Sequence, residues 1–493
     1  MKKIGFIIFF LCYVSVIGQE INYFNRVYQS DTNGISSVAI KPFNNNYILL
    51  GGFNWLGGYS HFYTREINEL GENVNVNVID SGVFFSTTYF GNCLEYTHDN
   101  NLIMSGLRGI TQFDGDYVLI KFTADGTVIW NKQYEEEGWQ SNAQVIVCKE
   151  GGFLLTGFSQ LLEPDIEPAQ VYLIRTNEES DTLWTQKHSA YTDILYSEQT
   201  SDGGFLLSGY QLNSDTGYDM YVLKTNNSGD MEWERTYGTD QHDGGCRVRQ
   251  LPNGNYLLLG LINNGIGTIS ELAFIIFDES GQIIVEKHHA KNETHSPSGI
   301  PQITTDNRII TATLSHGFLG PWEIAFTVFD IEGNIIIDEL ISSGLGGQDY
   351  IRDIEPTSDG GYVLAGFNYT TPQRSWVIKV DSLGQSCGIA PCDSTVITSS
   401  VGNLSHPIHQ RHIRISPNPA SHQCVLHYEL PPHHPMALLE IYNQQGQKVQ
   451  QQQLSGAFRE QSIDISKLPS GIYVYQIVLP GKVLFSDKLV VQR

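Results

Sequence analysis

A short apolar run that ends in glycine and one more apolar residue returns seven times along this chain. The glycines are Gly52, Gly106, Gly157, Gly209, Gly260 and Gly366, with Ala312 in the sixth copy, at intervals of 54, 51, 52, 51, 52 and 54 residues. A unit of about fifty residues repeated so evenly folds as one element per copy, each stacked on its neighbours. The clearest copy spans residues 193–237. An alternating strand (ILYSEQT) meets the turn Ser201-Asp202-Gly203-Gly204, and a second strand (FLLSGY) leads into a polar loop. A third strand (MYVLKTN) then turns at Asn227-Ser228-Gly229 into a fourth that carries Trp233 and Tyr237. Four short strands joined in this way make one twisted antiparallel sheet.

The other copies keep this order. Asn44-Asn45-Asn46, Glu150-Gly151-Gly152, Asn253-Gly254-Asn255 and Asp359-Gly360-Gly361 precede the second strand. Such residues accept the positive φ that a two-residue hairpin turn requires. The third strands are nearly continuous in apolar residues, as expected where both faces of a sheet are covered. The seventh copy stops at Ser382-Leu383-Gly384 without a fourth strand, while Phe24-Asn25-Arg26-Val27-Tyr28 matches residues 130–134 of the second copy in character. The expected fold is therefore all-β: a seven-bladed β-propeller over residues 19–384, closed by the N-terminal strand pairing with residues 376–380. Closure removes the two edges that an open array would expose.

Residues 1–18 read as a secretory signal, with Lys2 and Lys3 before a short apolar run and the small residues Val16 and Gly18 before Gln19. Cys12 follows Leu11 rather than a small residue, so removal is expected and not lipidation. No stretch suits a transmembrane segment. Lys and Arg number 29 against 53 Asp and Glu, a balance that repels phosphate backbones and argues against nucleic acid. Cys93, Cys148 and Cys246 read as buried thiols, and Cys387 with Cys392 as a candidate disulfide in an oxidising compartment. Residues 385–412 read as a linker rich in Ser, Thr, Pro and His. His406, His409 and His412 recur there without converging acids or cysteines, so no metal site is expected.

Residues 413–493 return to strand patterns without the repeat and are expected to form a small C-terminal β-sandwich. Ser416-Pro417-Asn418-Pro419 opens this segment, and Ile441-Tyr442-Asn443 with Gly446 and Val449 follows. Ile463-Asp464-Ile465, the run Leu468-Pro469-Ser470-Gly471-Ile472-Tyr473 and the closing Lys488-Leu489-Val490-Val491 complete a set in fixed order. These residues resemble the type A C-terminal sorting domain of the type IX secretion system of Bacteroidetes. The resemblance implies Pro417, Asn418, Pro419, Tyr442, Gly446, Gly471, Tyr473 and Lys488 as sorting-motif positions. It also implies partners in the type IX secretion and sorting machinery, passage through the periplasm, and removal of the tag. Release into the medium and attachment to surface lipopolysaccharide are both compatible with it.

No nucleophile elbow, zincin motif, phosphate loop or dinucleotide fingerprint is present, and no cofactor is implied. Acidic pairs such as Asp240 with Asp243 and Asp215 with Asp219 fit turn caps better than an acid and base flanking a sugar. Function is expected where the long, variable connections gather, because strands alternate in direction and the short turns collect on the opposite face. The candidate ligand-binding residues there are Trp55, Trp139, His242, Asp243, Trp322 and Tyr369. The favoured reading is a non-enzymatic module for glycan or protein ligands. The alternatives are a polysaccharide hydrolase or lyase and a structural surface component.

Overall fold

The computed structural model describes residues 23–30, 34–54, 60–80, 85–86, 92–108, 115–160, 169–189, 192–213, 217–263, 270–289, 294–297, 299–316, 322–386, 395–398, 414–428, 436–443, 447–455, 460–479 and 482–492. The signal-peptide reading, the Cys387–Cys392 pairing, the histidine tract, Trp55 and Gly446 fall outside these residues. Every regular element among them is a strand, and no helix is long and apolar enough to cross a membrane.

Seven antiparallel units follow one another in the order foreseen, each of four strand positions. The first position is split in two in the second unit (Phe85–Ser86 and Leu94–Tyr96) and in the sixth (Thr294–Pro297 and Gln302–Ile303). Blade 1 is Gly34–Phe43, Asn46–Asn54, Ser60–Ile67 and Asn73–Asp80. Blades 2 to 6 occupy residues 85–134, 139–189, 192–237, 244–289 and 294–341. Blade 7 takes three strands from residues 348–380 and its fourth from Phe24–Gln29, which pairs antiparallel with Arg374–Val380. Phe24 faces Lys379 and Tyr28 faces Ser375, so the N-terminal strand does close the ring. A finding beyond the sequence reading is a fifth strand on this blade. Thr395–Thr398, inside the expected linker, pairs in parallel with Arg26 to Gln29 and covers the outer edge of the closing strand.

Apolar side chains on the blade faces explain why the sheets stack. Among the described residues the propeller has seven buried clusters, each centred on the junction of two neighbouring blades. The one that joins blade 7 to blade 1 packs Phe24, Tyr28, Val363 and Val377 against Ile35, Leu49 and Tyr63. Each fully buried aliphatic or aromatic side chain contributes about 1.5–3 kcal/mol, so the blade interfaces rather than the turns hold the ring. Cys93, Cys148 and Cys246 are buried within these clusters, as expected. Burial pushes the Cys148 thiol up to about 12 and the Cys246 thiol to about 11, which keeps both unreactive.

Two details correct the sequence reading. The glycine of the repeat lies opposite a bulge in the first strand, and in blade 1 that place belongs to Gly51, not Gly52. Ser37 pairs with Gly51 just before the bulge, as Ile194 pairs with Gly209 and Ile351 with Gly366. The doubled glycine of blade 1 hid this one-residue offset. A β-carbon on Gly366 would stand 1.9 Å from the Tyr350 carbonyl oxygen, which is why the position is small. In blade 6 the small residues exchange places: Ala312 occupies the second strand and Gly299 faces it, donating its N–H to the Ala312 carbonyl.

The second correction concerns the short turns. Among the described short turns of the propeller, only Asn44-Asn45 is a two-residue turn, between the paired Phe43 and Asn46. Thirteen others are three-residue loops in which residue i donates to the carbonyl of i+4 and residue i+3 donates back to i. Residue i+3 is a Gly, Asn or Ser with φ between 60° and 91°. This is a type I turn followed by a left-handed residue, the usual form of a three-residue hairpin.

The C-terminal unit packs a three-stranded sheet (Arg414–Ser416, Gln423–His427, Glu460–Asp464) and a four-stranded one (Lys448–Ser455, Met436–Tyr442, Gly471–Leu479, Lys482–Val491) around a single core. Leu426, Ile441, Ile463, Ile477 and Leu489 are fully buried there, as is the additional free thiol Cys424. This is the small C-terminal β-sandwich that the strand patterns lead one to expect.

Candidate functional site

Alternation of strand direction separates the two faces of the ring. Turns after the first and third strands lie on one face, and the connections after the second strand and between blades lie on the other, here called the loop face. The turn face is chemically occupied with itself. In blade 4, Thr200 Oγ1 donates to Asp202, whose carboxylate also takes the buried Lys224 Nζ at 2.9 Å. Asp99 with Lys121 at 2.9 Å and Asp359 with Lys379 at 2.6 Å repeat this pairing in blades 2 and 7. Trp233 of the fourth strand likewise spends its indole N–H on the Glu279 carbonyl of the next blade at 2.8 Å. Tyr28, Tyr134 and Tyr237 each hand a hydroxyl hydrogen bond to the left-handed residue of the next blade's turn, at 2.8–2.9 Å. His188 Nε2 contacts the Gly229 carbonyl, at the same place in the turn, at 2.9 Å.

The loop face carries the candidate side chains that the structure describes. Trp322 begins the third strand of blade 6 and meets Gln348 of blade 7 in a parallel pair. Its ring lies 5.7 Å from Tyr350, which stacks on Phe367 at 4.8 Å. Tyr369, two residues beyond Phe367 on the same side of the strand, faces Gln348 and is 60% exposed. The Arg352 guanidinium covers Tyr350 and Phe367 at 5.5 and 5.2 Å from their ring centres. Two residues that the sequence named separately, Trp322 and Tyr369, thus belong to one aromatic shelf across blades 6 and 7.

His242 forms a second group. Its ring lies 5.8 Å from Tyr218, which meets Tyr210 edge-on at 5.1 Å, and both His242 and Tyr218 are exposed. Trp139 stands apart, half-buried with its ring edge-on to Phe158 at 5.2 Å. Asp243 is 4% exposed and accepts the Thr239 N–H, the Thr239 hydroxyl at 3.0 Å and the Asn263 N–H at 2.7 Å. Asp349 does the same work between blades 6 and 7, accepting the Ser343 N–H at 2.7 Å and the Asn368 carboxamide at 2.8 Å. Both carboxylates brace the crossing between blades.

The sequence reading overlooked a second constellation. The first strands touch one another around the ring and line its centre. At one level they place Lys41, Glu95, Ile146, Glu198, Arg249, Ile303 and Glu355 in equivalent positions of the seven blades. Lys41 Nζ bonds Glu95 of blade 2 at 3.2 Å and, at shorter range, Glu355 of blade 7. Arg249 Nε meets Glu198 of blade 4 at 2.9 Å, and Asp353 accepts the Ile40 N–H at 2.9 Å. Burial raises the Asp353 carboxyl to about 7, against the pull of Lys41. Burial also raises Glu198 and Glu95, although Glu95 keeps 32% side-chain exposure and is the more solvated of the two. For Lys41, burial works against the charge, but Glu355 and Glu95 more than offset it and hold the ammonium well above its ordinary value. A charge recurring every fifty-odd residues in the first strands was the available signal. It was hidden because these strands lack the glycine ruler.

Comparison with known proteins bears on both halves of the chain. Residues 414–492 match the family model of the secretion system C-terminal sorting domain. Pro417, Asn418, Pro419, Tyr442, Gly471, Tyr473 and Lys488 all fall within the match. No curated protein matches the sequence. Among solved structures, the chain is similar to the β-propeller domain of the trilobed protease from Pyrococcus furiosus, at 10% identity and a TM-score of 0.41, covering 73% of this chain and 96% of that one. It is similar to a polysaccharide lyase at 10% identity and a TM-score of 0.42, covering 75% and 94%. It is also similar to the acylaminoacyl peptidase of Pyrococcus horikoshii at 10% identity and a TM-score of 0.41, covering 70% of this chain and about half, 52%, of the peptidase. At such identities no activity passes from these proteins to this chain.

Proposed function

We propose that this chain, a propeller that ends in a type IX sorting domain and is thereby directed to the medium or the outer-membrane surface, is a binding module. Its ligand, a glycan or a protein, docks on the loop face without covalent chemistry. The observation that carries this reading is the aromatic shelf of Trp322, Tyr350, Phe367 and Tyr369, built by two blades and open to solvent at Tyr369. Aromatic faces stack on sugar rings and anchor protein partners, and rigid strands hold these in place. His242 and Trp139 extend the candidate surface over blades 3 to 5, and Trp55 remains part of the proposed set. Asp243 serves it by fixing the loop that carries His242. The test is a panel of polysaccharides and surface proteins offered to the mature secreted protein, scored for retention and for change in ligand mass.

One observation favours the hydrolase or lyase reading. Glu95, Glu198 and Asp353 gather at the ring centre with raised pKa values, and such carboxyl groups can act as general acids. Against it, each carboxylate is committed to a cation or a backbone N–H that joins one blade to another. A new reducing end or an unsaturated product, lost in Glu95→Gln and Glu198→Gln, would establish the catalytic reading instead.

A further inference from the structure

The sorting domain ends in Lys482–Val491, whose inner side pairs with Gly471–Leu479, with Val474 opposite Lys488 and Ile472 opposite Val490. Its other side would be an open sheet edge, the kind of surface that invites unplanned pairing. The proline motif closes that edge from the far end of the domain. Pro417 and Pro419 have no N–H to offer, but Asn418 between them supplies its side chain instead. Asn418 Nδ2 donates to the Lys488 carbonyl at 2.7 Å, and its Oδ1 accepts the Val490 N–H at 2.8 Å. Ala420 continues the seam, donating to the Val490 carbonyl and accepting the Gln492 N–H, both at 2.9 Å. One carboxamide thus stands in for a peptide unit, and the outward backbone groups from the Lys488 carbonyl to the Gln492 N–H are engaged.

The clasp also sorts the motif residues into two kinds. Ala420, Tyr473, Leu489 and Val491 are buried and build the core. Pro417, Asn418, Pro419, Gly471 and Lys488 are exposed, alongside Ile472 and Val474 at 42% and 40%. Residues 70 positions apart in sequence are therefore brought into one surface, with Asn418 joining them beside the Ala420 backbone bonds.

We propose that Asn418 is a positioning residue for export, holding the last strand closed so that the secretion machinery meets both ends of the sorting domain as one surface. The proposal rests on the identity of residues 414–492 as a sorting domain. The test compares full-length Asn418→Ala and Asn418→Asp with Ile463→Val, a core change that leaves the clasp intact, and with deletion of residues 414–493. Protein in the medium or on the surface is measured against protein retained in the periplasm, alongside melting of the sorting domain and hydrogen exchange at the Val490 amide. Both Asn418 variants should lose export by about fivefold or more, and Asn418→Ala, which alone loses the acceptor, should exchange Val490 faster, while Ile463→Val, at an equal or larger loss of melting temperature, is exported normally. Should Asn418→Ala fail to fold, Asn418→Asp, which keeps the acceptor for Val490, carries the same test. Normal export of the Asn418 variants, or a loss matched by Ile463→Val at equal melting temperature, overturns the proposal. Export of the deletion would overturn the sorting-domain identity itself.

Discussion

The indole N–H of Trp376 donates to the carboxamide oxygen of Asn25 at 2.8 Å, across a sequence separation of 351 residues. Trp376 is fully buried in the third strand of blade 7, and Asn25 lies in the strand that closes the ring. Asn25 also donates to the Ser342 carbonyl at 3.0 Å, so one side chain ties the closing strand to its own blade and to the crossing from blade 6. Asn25→Ala leaves a buried indole donor unsatisfied and is expected to cost about 1–3 kcal/mol. Asn25→Asp keeps the acceptor but loses the donor to Ser342 and buries a carboxylate against that carbonyl, so at neutral pH it should cost at least as much. Denaturant unfolding of the two variants checks the order.

The glycines of the repeat make a second prediction. Gly366→Ala sets a methyl group against the Tyr350 carbonyl and should destabilise by about 1–3 kcal/mol. Gly360, in the turn before it, has φ of 84° with nothing within 4 Å of where a β-carbon would stand. Asn100 and Asn307 occupy the same turn position in blades 2 and 6. Gly360→Asn should therefore lower the melting temperature by less than Gly366→Ala, and equal losses would contradict this account of the two glycines.

Blade number, strand order and ring closure were legible because each depends on local pattern: alternation, turn residues and an even period. The closing strand was legible because Phe24 to Tyr28 keeps the character of a fourth strand although it lies far from blade 7 in sequence. What escaped depends on register. The doubled Gly51-Gly52 concealed which glycine faces the bulge, and the ring of Lys41, Glu95, Glu198, Arg249 and Glu355 emerges only once the first strands are aligned by their partners. Lys121, Arg175, Lys224 and Lys379 recur at one position of the third strands, a pattern that the apolar character of those strands overshadowed. Three of them pair with turn aspartates, a role that no spacing announces. At the candidate site, Trp322 and Tyr369 were named from loop aromaticity, but Tyr350 and Phe367 lie within strands and looked like core.

The buried Asp353 predicts a dependence on pH. Its carboxyl is raised to about 7 by burial, so between the ordinary aspartate value near 3.9 and pH 7 the folded protein binds this proton more tightly than the unfolded chain. The sign follows: its contribution to stability falls as pH rises through that window. Asp353→Asn removes the titration while Glu95 and Glu355 remain for Lys41. The difference in unfolding free energy, variant minus wild type, should therefore be more favourable at pH 8 than at pH 5, by a few kcal/mol at most. Any cost of the amide that does not depend on pH cancels in the comparison. A difference that stays flat across this range would contradict the assignment.

Binding on the loop face without covalent change is tested most directly by offering the mature secreted protein a ligand it retains and following both affinity and ligand mass. Trp322→Ala with Tyr369→Ala dismantles the exposed side of the shelf, whereas Thr357→Ala with Asp359→Asn alters a turn of blade 7 on the opposite face. The account predicts a ligand of unchanged mass, an affinity lowered about tenfold or more by the first pair, and one left near wild type by the second. A ligand that is cleaved, or a binding loss confined to the turn-face pair, would contradict it.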